Sequence, residues 1–97
     1  MNSADAKDYA KHLTEVQRLL VAEANAGRPF LIKRAAEKTG CSVAEARRDA
    51  DHLVSMNLAE IKQSRMGRWF WFSYVELNDR GLAVQALVNT KKKKRYA

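Results

Sequence analysis

Only Gly40, Cys41 and Ser42 stand between two stretches of helical periodicity. The first, IKRAAEKT at residues 32 to 39, reads as a short helix that Gly40 ends, because glycine accepts the left-handed conformation of a helix C-terminus. Ser42 then stands where a side-chain oxygen caps the helix VAEARRDADHLVSM. Two helices joined by about three residues form a tight corner, and the remaining elements must pack around it. In the second helix Val43, Ala46, Ala50, Leu53 and Val54 gather on one side. Ala44, Glu45, Arg48, His52 and Ser55 hold the opposite side, with Arg47 and Asp51 on a flank, so the polar side is expected to face away from the core.

After this helix Asn57 suits a left-handed cap, Ala59 to Gln63 alternates like a strand, and Ser64 to Arg68 carries the turn glycine Gly67. Trp69 to Leu77 reads as the returning strand of a β-hairpin. Its run Trp69-Phe70-Trp71-Phe72 is apolar on both faces, whereas a half-exposed strand alternates. Either something covers the second face or something binds there.

Upstream, Tyr9, Leu13, Val16, Leu20 and Ala24 follow helical spacing, which predicts one long first helix from Ala4 to Ala26, stopped by Gly27-Arg28-Pro29. Leu19 and Val21 widen its apolar surface, as a thick core or a contact with a second subunit requires. Downstream, Asn78 is placed to cap a last helix from about Asp79 to Val88.

At 97 residues and 46% apolar content, the chain suits a single domain over residues 1–90, followed by a basic flexible tail at 91–97. The formal charge is +7, and Lys91, Lys92, Lys93, Lys94 and Arg95 supply five of those charges. Such a concentration fits a polyanionic partner or a solvated end. Cys41 is the single cysteine, no apolar run reaches the roughly 18 residues of a membrane span, and the first residues are polar; a cytoplasmic protein without membrane partner is expected. Enzymatic chemistry finds no support: His12 and His52 lie far apart, no spacing suits a metal, no glycine loop suits a phosphate, and Cys41 reads as a small buried hydrophobe. No cofactor is expected.

The order helix, helix, turn, helix, hairpin, helix resembles the winged helix-turn-helix domains of bacterial and phage regulators, MarR-like ones in particular. The resemblance covers about residues 30 to 83 and rests on AAEKTGCS, on ARRDADHLVSMNLA and on LNDRG at Leu77 to Gly81. In two places the chain departs from the pattern: Asn57 stands for the usual glycine, and Leu31 lacks the oxygen expected to cap the second helix. The implied fold is mainly α with a small β-hairpin: a long N-terminal helix, the helix-turn-helix, a wing and a C-terminal helix. If Val75 and Leu77 point to the core as in the family, Trp69 and Trp71 share that face and Phe70, Phe72 and Tyr74 the other.

The function so implied is sequence-specific binding of double-stranded DNA by a transcription regulator. Residues 43–57 would lie in the major groove and residues 59–77 at the flanking groove. Ser42, Glu45, Arg47, Arg48 and His52 are then placed to reach base edges or phosphates, with Arg48 the foremost candidate for a guanine. Glu45, Asp49 and Asp51 bring carboxylates near phosphates, tolerable where one accepts a hydrogen bond, as from cytosine N4. Lys62, Gln63, Arg65 and Arg68 surround the wing tip, Lys33, Arg34 and Lys38 suit phosphates, and Lys91 to Arg95 add unspecific contacts. The uncovered aromatics Phe70, Phe72 and Tyr74, with Leu19, suggest a homodimer interface; cover by the N-terminal helix and stacking on unpaired bases are the alternatives. A winged helix that serves as a protein-interaction adaptor is the competing class.

Overall fold

The computed structural model describes residues 3–66 and 70–94. Five helices and one hairpin follow in the order α1 (Ser3–His12), α2 (Glu15–Glu23), α3 (Ile32–Thr39), α4 (Val43–Ser55), β1 (Ala59–Met66), β2 (Phe70–Leu77) and α5 (Asp79–Lys94).

The expected long first helix is two helices. Thr14 is extended, with ψ at 167°, and starts α2 through a reciprocal capping box. Its Oγ1 accepts the Gln17 N–H at 3.1 Å while Gln17 Oε1 accepts the Thr14 N–H at 3.0 Å. Each bond satisfies a backbone donor that has no partner of its own. The apolar spacing nevertheless continues across the break, since Leu13, Val16 and Leu20 are all buried.

At the corner, Gly40 takes φ 77° and donates its N–H to Ala36 O, while Ser42 Oγ caps α4 by accepting the Glu45 N–H at 3.1 Å. Ala35, Ala36, Ala46 and Ala50 are buried almost completely, and such small side chains let α3 and α4 approach closely. Helix α2 runs through the middle and meets α3, α4 and α5, while α1 packs on α5. Leu20, Val21, Leu53, Leu58 and Val84 form the fully buried centre.

Strands β1 and β2 pair antiparallel from Ala59 with Leu77 to Met66 with Phe70, so β1 runs three residues beyond the expected Gln63. Leu31 adds a bridge to Tyr74 on the other edge of β2. Leu31 offers no side-chain cap at the start of α3, and its carbonyl accepts the Arg34 N–H at 3.0 Å and the Ala35 N–H at 3.1 Å.

Three asparagines fasten the base of the hairpin. Asn25, at φ 60°, donates through Nδ2 to Leu77 O at 3.2 Å and accepts the Leu77 N–H through Oδ1 at 3.0 Å. Asn57, at φ 59°, is the expected left-handed cap, and its carbonyl accepts from Asn78 Nδ2 at 2.9 Å. Asn78 Oδ1 in turn accepts the Gly81 N–H at 2.9 Å and so caps α5, as expected. At Gly81 a Cβ would run into the Leu58 carbonyl and the Leu77 side chain, so the residue is glycine for want of space. Helix α5 continues to Lys94, past the expected end at Val88. Of the flexible tail expected at residues 91–97, residues 95–97 lie outside the described residues.

Candidate nucleic-acid interface

The α3–α4 corner turns one face of α4 to solvent. Ser42, Ala44, Glu45, Arg47, Arg48, Asp51, His52 and Ser55 are all exposed, as their spacing predicts. Val43 and Val54, expected inside, are 50% and 40% exposed, so the buried stripe of α4 is narrower: Ala46, Ala50 and Leu53.

The three carboxylates on this helix have separate surroundings. Asp49 is half-buried and points to α2, where it accepts a hydrogen bond from Thr14 Oγ1 at 3.2 Å; its backbone carbonyl accepts from Gln17 Nε2 at 3.1 Å. Asp51 binds Arg47 Nε at 3.4 Å one turn away. Glu45 stays exposed at the first turn, where a negative charge suits the helix dipole. Arg48 makes no side-chain hydrogen bond or ion pair among the described residues. Its guanidinium is exposed and available to a ligand.

On the hairpin, directly opposed residues share a face. Gln63 and Arg65 therefore lie on one face with Ser73 and Trp71, and Lys62 lies on the other with Tyr74. Lys62 Nζ reaches Glu76 Oε1 at 3.2 Å, and this hydrogen bond and charge hold the lysine pKa above its ordinary value. The guanidinium of Arg65 lies over the Trp71 ring, 5.7 Å from its centroid. Trp71 shares a face with Val75 and Leu77 as expected, yet it is 61% exposed while Val75 and Leu77 are buried. The core does not reach as far along the strand as Trp71. Phe72 and Tyr74 are half-buried instead.

No model of a known protein family and no curated protein matches this sequence. Solved structures do match the fold. A MarR protein from Peptoclostridium difficile is similar at a TM-score of 0.66 with 13% identity, over 97% of this chain and 61% of that one. The transcriptional regulator SlyA gives 0.65 with 12% identity, over 91% and 61%. MepR from S. aureus gives 0.64 with 12% identity, over 97% and 67%. The fold is a MarR-like winged helix-turn-helix. In that frame α3 and α4 form the helix-turn-helix and the β1–β2 hairpin is the wing. The chain spans about three fifths of the length of the SlyA and Peptoclostridium structures.

Of the residues singled out in the sequence, the fold brings Ser42, Glu45, Arg47, Arg48 and His52 together on the exposed side of α4. It places Gln63 and Arg65 on the wing face shared with Trp71 and separates Lys62 from them. Arg68, Trp69 and Arg95 lie outside the described residues, and Lys91 to Lys94 continue α5. Leu19 is half-buried on α2, remote in sequence from Phe72 and Tyr74. Cys41 is half-buried at the corner, its Sγ 3.3 Å from Thr39 Oγ1. Among the described residues no cluster of His, Cys, Asp or Glu is arranged to hold a metal, and no helix is long and apolar enough to cross a membrane.

Proposed function

We propose that this chain is a DNA-binding transcription regulator that reads double-stranded DNA through α4, with the wing on the neighbouring groove. The observation that carries this reading is the exposed side of α4, where Arg48 extends unengaged beside Arg47 on a helix fixed by its corner and by Gln17. An arginine presented this way can donate two parallel hydrogen bonds to guanine O6 and N7. The likeness to regulators such as SlyA supports the same reading. Ser42, Glu45 and His52 complete the face toward the bases. Gln63, Arg65 and Arg68 act from the wing, with Lys62 competing against its bond to Glu76. Lys91 to Arg95 contribute charge without reading sequence.

The chain acts in the cytoplasm as a homodimer, with Phe70, Phe72, Tyr74 and Leu19 as its contact residues. Sedimentation should show the dimer at micromolar concentration, and an 11.0 kDa species alone would remove it.

Selection of binding sites from random duplexes, followed by titration of the winners at several salt concentrations, tests the reading as a whole. Enrichment of one sequence and a steep loss of affinity with salt are expected. Absence of enrichment together with weak salt dependence would favour a protein-interaction role.

A further inference from the structure

A cleft of about 340 Å³ opens between the starts of α3 and α4 and the outer half of β2. Leu31, Ile32, Val43 and Trp71 give it apolar walls, and Lys33 and Arg47 bring cations to it. Val43 and Trp71 are 50% and 61% exposed, a large apolar surface for positions inside an otherwise regular helix-turn-helix and wing. Arg65 adds a third cation over the Trp71 ring, and Arg47 Nε is bonded to Asp51.

We propose that this cleft is a seat for the DNA sugar-phosphate backbone, with Trp71 as the wall against the deoxyribose and Lys33 and Arg47 on the adjoining phosphate. The inference rests on the DNA-binding reading and deepens it. If α4 lies in the major groove and the wing at the flanking minor groove, the strand that divides those grooves must pass between α4 and the wing. The cleft lies there. Its chemistry matches that strand: the deoxyribose offers an apolar edge for an indole face, and phosphates take cations. A backbone seat carries no sequence information, so Trp71 adds affinity and register while Arg48 adds preference.

The test uses the full chain with Trp69→Phe, which leaves Trp71 as the only tryptophan. Adding Trp71→Ala should weaken binding about tenfold on a selected duplex and on a scrambled one alike. Trp71→Phe should restore part of that loss, and the slope of log affinity against log salt should stay unchanged because an apolar contact releases no counterion. Duplexes carrying one neutral methylphosphonate, moved position by position, should show in each half-site one phosphate between the two grooves whose sensitivity vanishes in Lys33→Ala, Arg47→Ala. The scan reads the cleft without touching Trp71, so a poorly folding alanine variant does not block it. Unchanged affinity in Trp71→Ala, or a flat phosphate scan, would overturn the seat while leaving DNA binding intact. Quenching of Trp71 by single-stranded DNA as strong as by duplex would overturn it in favour of base stacking. If the wild-type chain binds no duplex at all, the underlying reading falls first.

Discussion

At the scale of single residues, a side chain that already has a partner must give it up or share it before it engages a ligand. Arg47 and Arg48 are neighbours with the same chemistry, yet Arg47 is bonded to Asp51 and Arg48 is not. Arg48→Ala is expected to cost roughly 1–3 kcal/mol on the preferred duplex and much less on random DNA, measured by competition between the two; an equal loss on both would make it a phosphate contact. Lys62 shows the opposite condition. Its pKa is raised by the hydrogen bond to Glu76 and by that residue's charge. A raised lysine pKa means that the pair supports the wing fully below the ordinary lysine value and loses that support as pH rises through the folded value, so the bond is intact at neutral pH. Glu76→Gln should return the Lys62 titration toward its ordinary value in an NMR pH series. It should also steepen the salt dependence of DNA binding by up to about one unit, since a cation is released to phosphate and an anion is lost. Asp49 illustrates what local pattern does not show: spacing places it beside the exposed face of α4, but its partner Thr14 is 35 residues away.

At the scale of elements, what was legible in the sequence was what local chemistry decides. Gly40 and Ser42 located the corner, Asn57 and Asn78 located both ends of the hairpin segment, and all four take the predicted roles. The break between α1 and α2 was also written locally, as Thr14 followed three residues later by Gln17, but the apolar periodicity of Leu13, Val16 and Leu20 runs through it and masks it. The Leu31 bridge to Tyr74 and the exposure of Trp71 were not legible, because both depend on how far one element extends past another. Gln17 joins these levels: it completes the cap of α2 and, only 2% exposed, holds the Asp49 carbonyl of α4. Gln17→Ala removes both and is expected to cost roughly 1–3 kcal/mol in denaturant unfolding. Because α4 loses a fixed point, affinity for the selected duplex should fall as well, although Gln17 itself is buried. A variant with lowered stability and unchanged affinity would show that the corner alone sets the angle of α4.

At the scale of the whole molecule, charge and fold are distributed unequally. Five of the net seven positive charges lie in the run from Lys91 to Arg95, and the helix-turn-helix and wing hold the geometry. Deleting residues 91–97 should therefore weaken binding to all duplexes similarly and flatten the salt slope by about 1–3 units, checked on one selected and one scrambled duplex; a loss confined to the selected duplex would assign sequence reading to the run. Meanwhile the wing is attached to the body by Asn25, which grips both main-chain groups of Leu77 from 52 residues away, much as a neighbouring strand would. The Leu77 amide proton is thus held by a side chain rather than by the hairpin it belongs to. Its exchange with solvent deuterium is expected to report the opening of this clasp between wing and body.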